Sequence, residues 1–450
     1  LLANKCFLHL SLKFIFLLKT QPEKTMSSNP TSNATATSAK PAPLAGLRVL
    51  DFSILGPGAT AHHFAELGAD VIKIEVPGGD YVRVMTWPIV EGISLLHWHI
   101  ARGKKSIELD LKTPEGRDVF LELAKDADIV IEAMKPGTLD RLGLSFDDLK
   151  KVNPKIVFCC VSGYGMTGPY ENMPSHGVAY DTWAGCVEPA RDEEGMVYLP
   201  AHPSVGMHAG PLLGAFAALA AVMRARETGE GAFLEIGQSD GAAYMDWYRI
   251  ESYKAYQRPQ SEVTGNAADD FRRRPVGTAG LKEGVRYQAY ECKDGYVLFM
   301  ASEQVFWKNF CQGVGRMDMF EKWPGKKLAD HAPGNREMQR ELTTIFKTKT
   351  IKEWMDWGVE INTPIAPVYN SETVMEDEHF KARFKWYDHK EHGADMISYP
   401  VHFIGEELPV PTKAPTPGQH RDEILKRCLG YGDTKIADLA SKGTFGQIKK

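Results

Sequence analysis

From Leu44 onward, short apolar runs alternate with stretches whose apolar residues fall at helical spacing. GLRVLDFS (46–53) is a β-rich run, Gly56-Pro57-Gly58 is a turn, and ATAHHFAELG (59–68) has helical periodicity with Gly68 at its stop. ADVIKIEV (69–76) predicts the next strand. SIELDL (106–111), a helix opened by TPEGRDVFLELAKD (113–126), and the strands DIVIEA (128–133) and KIVFCCVS (155–162) continue the alternation. Strand, helix and strand in this order predict a parallel sheet with helices on both faces, a Rossmann-like, doubly wound α/β architecture.

The rhythm breaks after about residue 235. YQAYECKDGYVLFMAS (287–302) reads as two strands around an Asp294-Gly295 turn, which is a hairpin signal. Helical patterns follow over 305–313 and 337–357, and PIAPVYN (364–370) gives a strand expected to return to the larger unit. These patterns predict a large domain from 44–235 and 350–450 with a smaller α+β domain from 236–349. Residues 1–43 read as a lead outside the fold, with Met26 as the expected start. Their apolar stretch Phe7–Leu18 is broken by His9 and Lys13 and is too short to span a bilayer, and 27–43 are rich in Ser, Thr, Asn, Ala and Pro.

Composition narrows the function classes. With 450 residues, 43% hydrophobic and 25% charged, the statistics are those of a globular enzyme-sized chain. A net charge of −5 supplies no broad basic field for nucleic acid or an anionic membrane. Seven cysteines without repeated spacing read as free thiols in a reducing compartment, which makes the cytoplasm the expectation.

Several chemical signals fail. Gly56-Pro57-Gly58 sits where a dinucleotide fold keeps its phosphate loop, but it is not GxGxxG, and Pro57 lacks a backbone donor. His62-His63 and the His97/His99 pair lack companions at zinc-ligand spacing, so no metal site is expected. Cys159 and Cys160 lie in an apolar strand, where burial keeps thiols protonated. No GxSxG elbow is present. The informative region is VSGYGMTGPYENMPSHGVAYDTWAG (161–185), whose glycines follow a strand at the edge where open α/β sheets bind ligands. Asp181 follows between Tyr180 and Trp183. On its own it reads either as a helix cap or as a reactive carboxylate.

The blocks PLAGLRVLDFS, AELGADVIKIE, GKKSIELDLKTPEGR, KPGTLDRLGLSFDDLKKVNPKIVFCCVSGYGMTGPY, AALAAVMRARETGEG and DEHFKARF resemble, in order, the signature blocks of class III CoA-transferases (CaiB/BaiF type). The terminal LGYGDTKIADLASKG is similar to the branch holding the carnitine and bile-acid CoA-transferases. The resemblance implies that Asp181 is the nucleophile, forming aspartyl anhydride and aspartyl-CoA thioester intermediates, with a coenzyme A thioester as substrate, a carboxylic acid acceptor and no prosthetic group. It implies coenzyme contacts at Lys135 and Arg141 of KPGTLDR, at Leu109 and Lys112 of LDLK, and at Ala133; solvated surface lysines are the alternative for Lys112 and Lys135. It also implies an interlocked homodimer.

Two positions depart from the family pattern: Val76, where some relatives carry arginine, and Gly206, where many carry an acidic residue. A 2-methylacyl-CoA racemase on the same fold and a non-catalytic CoA-binding protein remain as alternatives, and Tyr180 argues against the racemase, which commonly has histidine there. The glycines at 163, 165 and 168 are candidate oxyanion donors, and Arg272–Arg274 of FRRRPVG either meet an anionic substrate or form a solvated loop.

Overall fold

Six strands build the central sheet of the computed structural model, which describes residues 40–267, 270–327 and 330–446. The expected lead therefore falls almost wholly outside the described residues. Ala42–Lys450 forms one unit. The strands are β1 (Arg48–Phe52), β2 (Asp70–Glu75), β3 (Lys105–Glu108), β4 (Ile129–Glu132), β5 (Val157–Ser162) and β6 (Ala232–Gly237). Every pairing is parallel, and the spatial order is β6-β5-β4-β1-β2-β3. The chain starts in the middle, builds outward to β3, then returns beside β1 with β4. Strand order thus reverses between β1 and β4, the place where open α/β sheets take their ligands.

Successive side chains of a strand point to opposite faces, and here both faces are covered. Val49, Val71, Ile129, Ile131, Val157 and Cys159 enter one apolar cluster with Phe64 of the helix Ala59–Glu66 and Ala215, Ala218 and Val222 of the helix Val205–Thr228. Leu50, Phe52, Ile72, Ile74, Val130 and Phe158 enter the other, with Val119, Phe120 and Leu123 of Pro114–Ala124 and Ile424, Leu425, Ile436 and Leu439 from the C-terminal helices. Each such aliphatic side chain contributes about 1.5–3 kcal/mol by leaving water. The helix Val205–Thr228 is long and apolar enough to cross a membrane by composition. Its small residues Ala209, Gly210, Gly214, Ala215, Ala218 and Ala221 are instead buried, the last three against the sheet cluster.

A second, antiparallel sheet holds β7 (Tyr287–Cys292), β8 (Gly295–Met300) and β9 (Ile365–Val368) in that order. Cys292 pairs with Gly295, so the hairpin turns on Lys293-Asp294, one residue before the expected pair. Trp307, Phe310, Phe346 and Trp354 cover this sheet. Two expectations are corrected. The strand in PIAPVYN does not return to the parallel sheet, because Ile365–Val368 pairs with Tyr296–Phe299. The helix expected over 337–357 is two helices, Arg336–Phe346 and Ile351–Glu360, since Thr350 and Glu353 form a capping box that starts the second.

Candidate active site

The loops at the carboxyl edge of the sheet converge around the reversal point. After β1 the chain makes the tight turn Gly56–Gly58. Lys104, fully buried, donates to Asp51 Oδ2 at 2.7 Å and to the Gly58 carbonyl at 2.8 Å, fixing that turn to the strand. Burial works against a charged Asp51, but Lys104 and Lys73 overcome it and hold the carboxyl below its ordinary range. After β5 comes the glycine-rich loop, where Gly165 and Gly168 adopt φ of +88° and +87°, which side chains other than glycine rarely reach. Glu235 of β6 fastens this loop by accepting from the Met166 N–H and from Thr167 Oγ1.

Asp181 lies in the short helix Val178–Trp183 and is fully buried. It does not cap that helix. Its Oδ1 accepts from the Gly206 N–H at 2.8 Å, in the first turn of the 24-residue helix Val205–Thr228. Ser204, the N-cap of the long helix, makes no side-chain cap bond, so Asp181 supplies that acceptor from 25 residues upstream. A carboxylate on a helix N-terminus gains up to about 2 kcal/mol, and a charged hydrogen bond about 1.5–3 kcal/mol. Burying the ion costs several kcal/mol, the same order as these contacts return.

The other oxygen, Asp181 Oδ2, has no hydrogen-bond partner, and His202 Nε2 stands 3.6 Å away, also buried and unpartnered. Gly206 is required where it is, because a Cβ there would come 2.8 Å from Tyr180 Cβ and 2.9 Å from the Gln238 carbonyl. Gly163 is equally confined, since a Cβ would meet Tyr180 at 2.9 Å and Ser175 Oγ more closely still. The glycine loop therefore packs onto the residue next to Asp181. Gln238 Oε1 is a further buried oxygen without a partner, and a Cβ on Gly56 would lie 3.1 Å from it. The β1 turn, the helix Gln238–Met245 and the Asp181 pocket thus adjoin.

The residues expected at the coenzyme occupy the same edge of the sheet. Ala133 follows β4 and is half-buried; Lys135 and Arg141 lie beyond it, exposed, with Arg141 donating to Thr138 Oγ1 at 3.1 Å. Lys135 shares a small cavity with Gly137, Thr138 and Phe146 and with Met166 of the glycine loop, which brings these two segments together. Lys112 is exposed after β3. Leu109 is fully buried in the same apolar cluster as Leu139, and its N–H is bound to the Glu75 carbonyl at 2.8 Å. Its side chain faces the core, so any ligand contact there runs through the backbone.

Arg273 donates to the carbonyls of Tyr256, Arg258 and Val263 and lies over the Tyr256 ring, so it fastens its own loop. Arg272 and Arg274 line a cavity of about 370 Å³. His62, His63, His97 and His99 belong to no group of three metal-ligating side chains among the described residues. His97 faces Arg83 at 2.8 Å, and burial first, then that guanidinium, lowers it to about 3. Cys159 is fully buried and its thiol is pushed up to about 12, chiefly by burial. Sequence reasoning missed His202 and did not assign a role to the Gly206 N–H. The one signal was the departure at Gly206 itself.

A family model described as CoA-transferase family III matches residues 44–421. The chain is 29% identical over 424 residues to the succinyl-CoA–L-malate CoA-transferase beta subunit of Chloroflexus aurantiacus, covering 89% of this chain and 97% of that one. It is 27% identical over 423 residues to the formyl-CoA:oxalate CoA-transferase of a Bradyrhizobium species, covering 90% and 98%. A solved structure of a CaiB/BaiF family protein from Brucella suis superposes with a TM-score of 0.69 at 23% identity, covering 86% of this chain and 100% of that one, a likeness of fold.

Proposed function

The chain belongs to CoA-transferase family III, and from that membership we propose that it passes coenzyme A from an acyl-CoA thioester to a carboxylic acid through covalent intermediates on Asp181. The observation that carries this reading is the state of the Asp181 carboxylate: buried, anchored through one oxygen to a helix N-terminus, and bare at the other. Oδ2 attacks the thioester carbonyl, the C–S bond breaks, and an aspartyl acyl anhydride forms with release of the thiolate. The thiolate attacks the aspartyl carbonyl to give an aspartyl-CoA thioester and the first carboxylate. The acceptor acid then runs these steps in reverse. Water exclusion protects the anhydride, and burial of Asp181 supports that requirement.

Lys135 and Arg141 hold the coenzyme phosphates, with Lys112 and the backbone of Leu109 and Ala133 along the nucleotide; their common position at the carboxyl edge of the sheet supports this assignment. Binding energy from that remote part of the molecule positions the thioester. Residues 44–235 with the C-terminal helices act as the coenzyme-binding unit, and the unit around the second sheet shapes the acid pocket. The enzyme works in the cytoplasm as a homodimer. Exposed Phe216, Met223, Trp247, Tyr248 and Tyr253 support a second copy as the cover of this apolar surface. The racemase alternative is disfavoured, because Tyr180 stands where racemases of this fold commonly carry histidine and the relatives compared above are named CoA-transferases.

The test is intact-protein mass after mixing with succinyl-, formyl- and butyryl-CoA and trapping with hydroxylamine. An adduct on the peptide containing Asp181, absent in Asp181→Asn, is the expected result. Binding of every thioester without any adduct would exclude the covalent transferase.

A further inference from the structure

His202 presents an arrangement that the reading above does not use. Its Nδ1 lies 2.9 Å from the Pro200 carbonyl, which only accepts, so Nδ1 carries a hydrogen. In the neutral ring Nε2 is then a bare lone pair, and it lies 3.6 Å from the bare Oδ2 of Asp181. Both atoms are buried and neither has another partner. Two buried acceptors facing each other repel unless a proton lies between them.

We propose that His202 is the proton carrier of the transfer, shuttling one proton between its Nε2 and the coenzyme sulfur. The proposal rests on the transferase reading. The cycle starts with a proton on Nε2, opposite the Asp181 carboxylate. When the thioester moves in beside Oδ2, the imidazole gives way so that Nε2 faces the coenzyme sulfur, with reacting atoms at roughly 3–3.5 Å. The new bond joins Oδ2 to the acyl carbon, the C–S bond breaks, and the electron pair left on sulfur takes the Nε2 proton. The products are the anhydride, a neutral His202 and the coenzyme thiol.

In the second step Nε2 takes the proton back as sulfur attacks the aspartyl carbonyl. The acyl carboxylate leaves and the aspartyl-CoA thioester forms, restoring the imidazolium. Charge and protons balance at each step, and no outside acid is required. The same pair gives the departing thiolate a proton in a buried site where an unpaired anion is costly.

The experiment is quenched-flow mass spectrometry of the full-length protein with succinyl-, formyl- and butyryl-CoA, comparing the unaltered chain, His202→Ala and His202→Gln, with coenzyme A binding measured alongside as the control for folding. Loss of general acid–base catalysis should slow the Asp181 adduct about 100-fold or more in both variants. Added imidazole should restore a saturable part of the rate in His202→Ala alone. A His202→Ala rate within about threefold of the unaltered protein would overturn the proposal, as would recovery in His202→Gln, which can hydrogen-bond but cannot carry the proton. Absence of an adduct in the unaltered chain would instead remove the transferase reading beneath it.

Discussion

The anchoring of Asp181 by Gly206 makes a quantitative prediction about two glycines of one helix. Alanine gains roughly 0.5–1 kcal/mol over glycine at an interior helical position. At Gly214 the added Cβ would meet Ile236 Cγ2 at 3.3 Å, Val161 Cγ2 at 3.5 Å and Cys159 Sγ at 3.6 Å, two of them ordinary contacts and the first needing a shift of a few tenths of an ångström at most. Gly214→Ala is therefore expected to lie between neutral and about 1 kcal/mol more stable. At Gly206 the Cβ would meet Tyr180 Cβ at 2.8 Å and the Gln238 carbonyl at 2.9 Å, atoms tied to backbone. Relief must come from moving helices apart, an overpacking cost of about 1–3 kcal/mol.

The same movement draws the Gly206 N–H away from Asp181 and weakens a charged hydrogen bond of about 1.5–3 kcal/mol. Gly206→Ala should thus lose about 1–3 kcal/mol in urea unfolding at unchanged slope and form the Asp181 adduct more slowly. Equal urea midpoints for the two variants, with equal rates of adduct formation, would refute the account of how this carboxylate is held.

Lys135→Ala and Arg141→Ala should each raise KM for the thioester about 5- to 30-fold, the equivalent of roughly 1–2 kcal/mol of phosphate contact, with kcat little changed. Lys151→Ala, which removes only an exposed partner of Asp148, should leave steady-state kinetics unchanged; equal behaviour of all three variants would remove the coenzyme assignment. Stability should fall below about pH 6.5. His97 is lowered to about 3 and His63 and His99 to about 4, burial being the first cause in each. The unfolded chain binds protons that the folded body refuses, so the loss runs from the ordinary histidine value near 6.5 down toward 4 at up to about 1.4 kcal/mol per pH unit for each ring. Urea midpoints at pH 7 and pH 5 check this, and a flat profile would contradict the burial of these rings.

Much of the scaffold was legible along the chain. Strands β1, β2, β4 and β5 announce themselves because both their faces are buried, so Val49 through Phe52 or Val157 through Val161 read as dense runs between turn residues. β6 did not, because Ala232–Gly237 is an edge strand with Phe233 and Glu235 exposed, the latter turned to the glycine loop. The break at Lys347–Thr350 was hidden by apolar spacing that continues across it, and only the Thr350 cap reveals it.

At the site, the residue types at the carboxyl ends of the strands, including the glycine loop and Asp181, were readable along the chain. These follow from local backbone demands and from the resemblance of successive blocks. The surroundings of the carboxylate came from packing alone: Gly206 on one oxygen and His202 opposite the other. Neither partner carries a local pattern. Their role arises from the cost of burying a charge, which is offset by whichever distant N–H and imidazole the packed helices bring within reach.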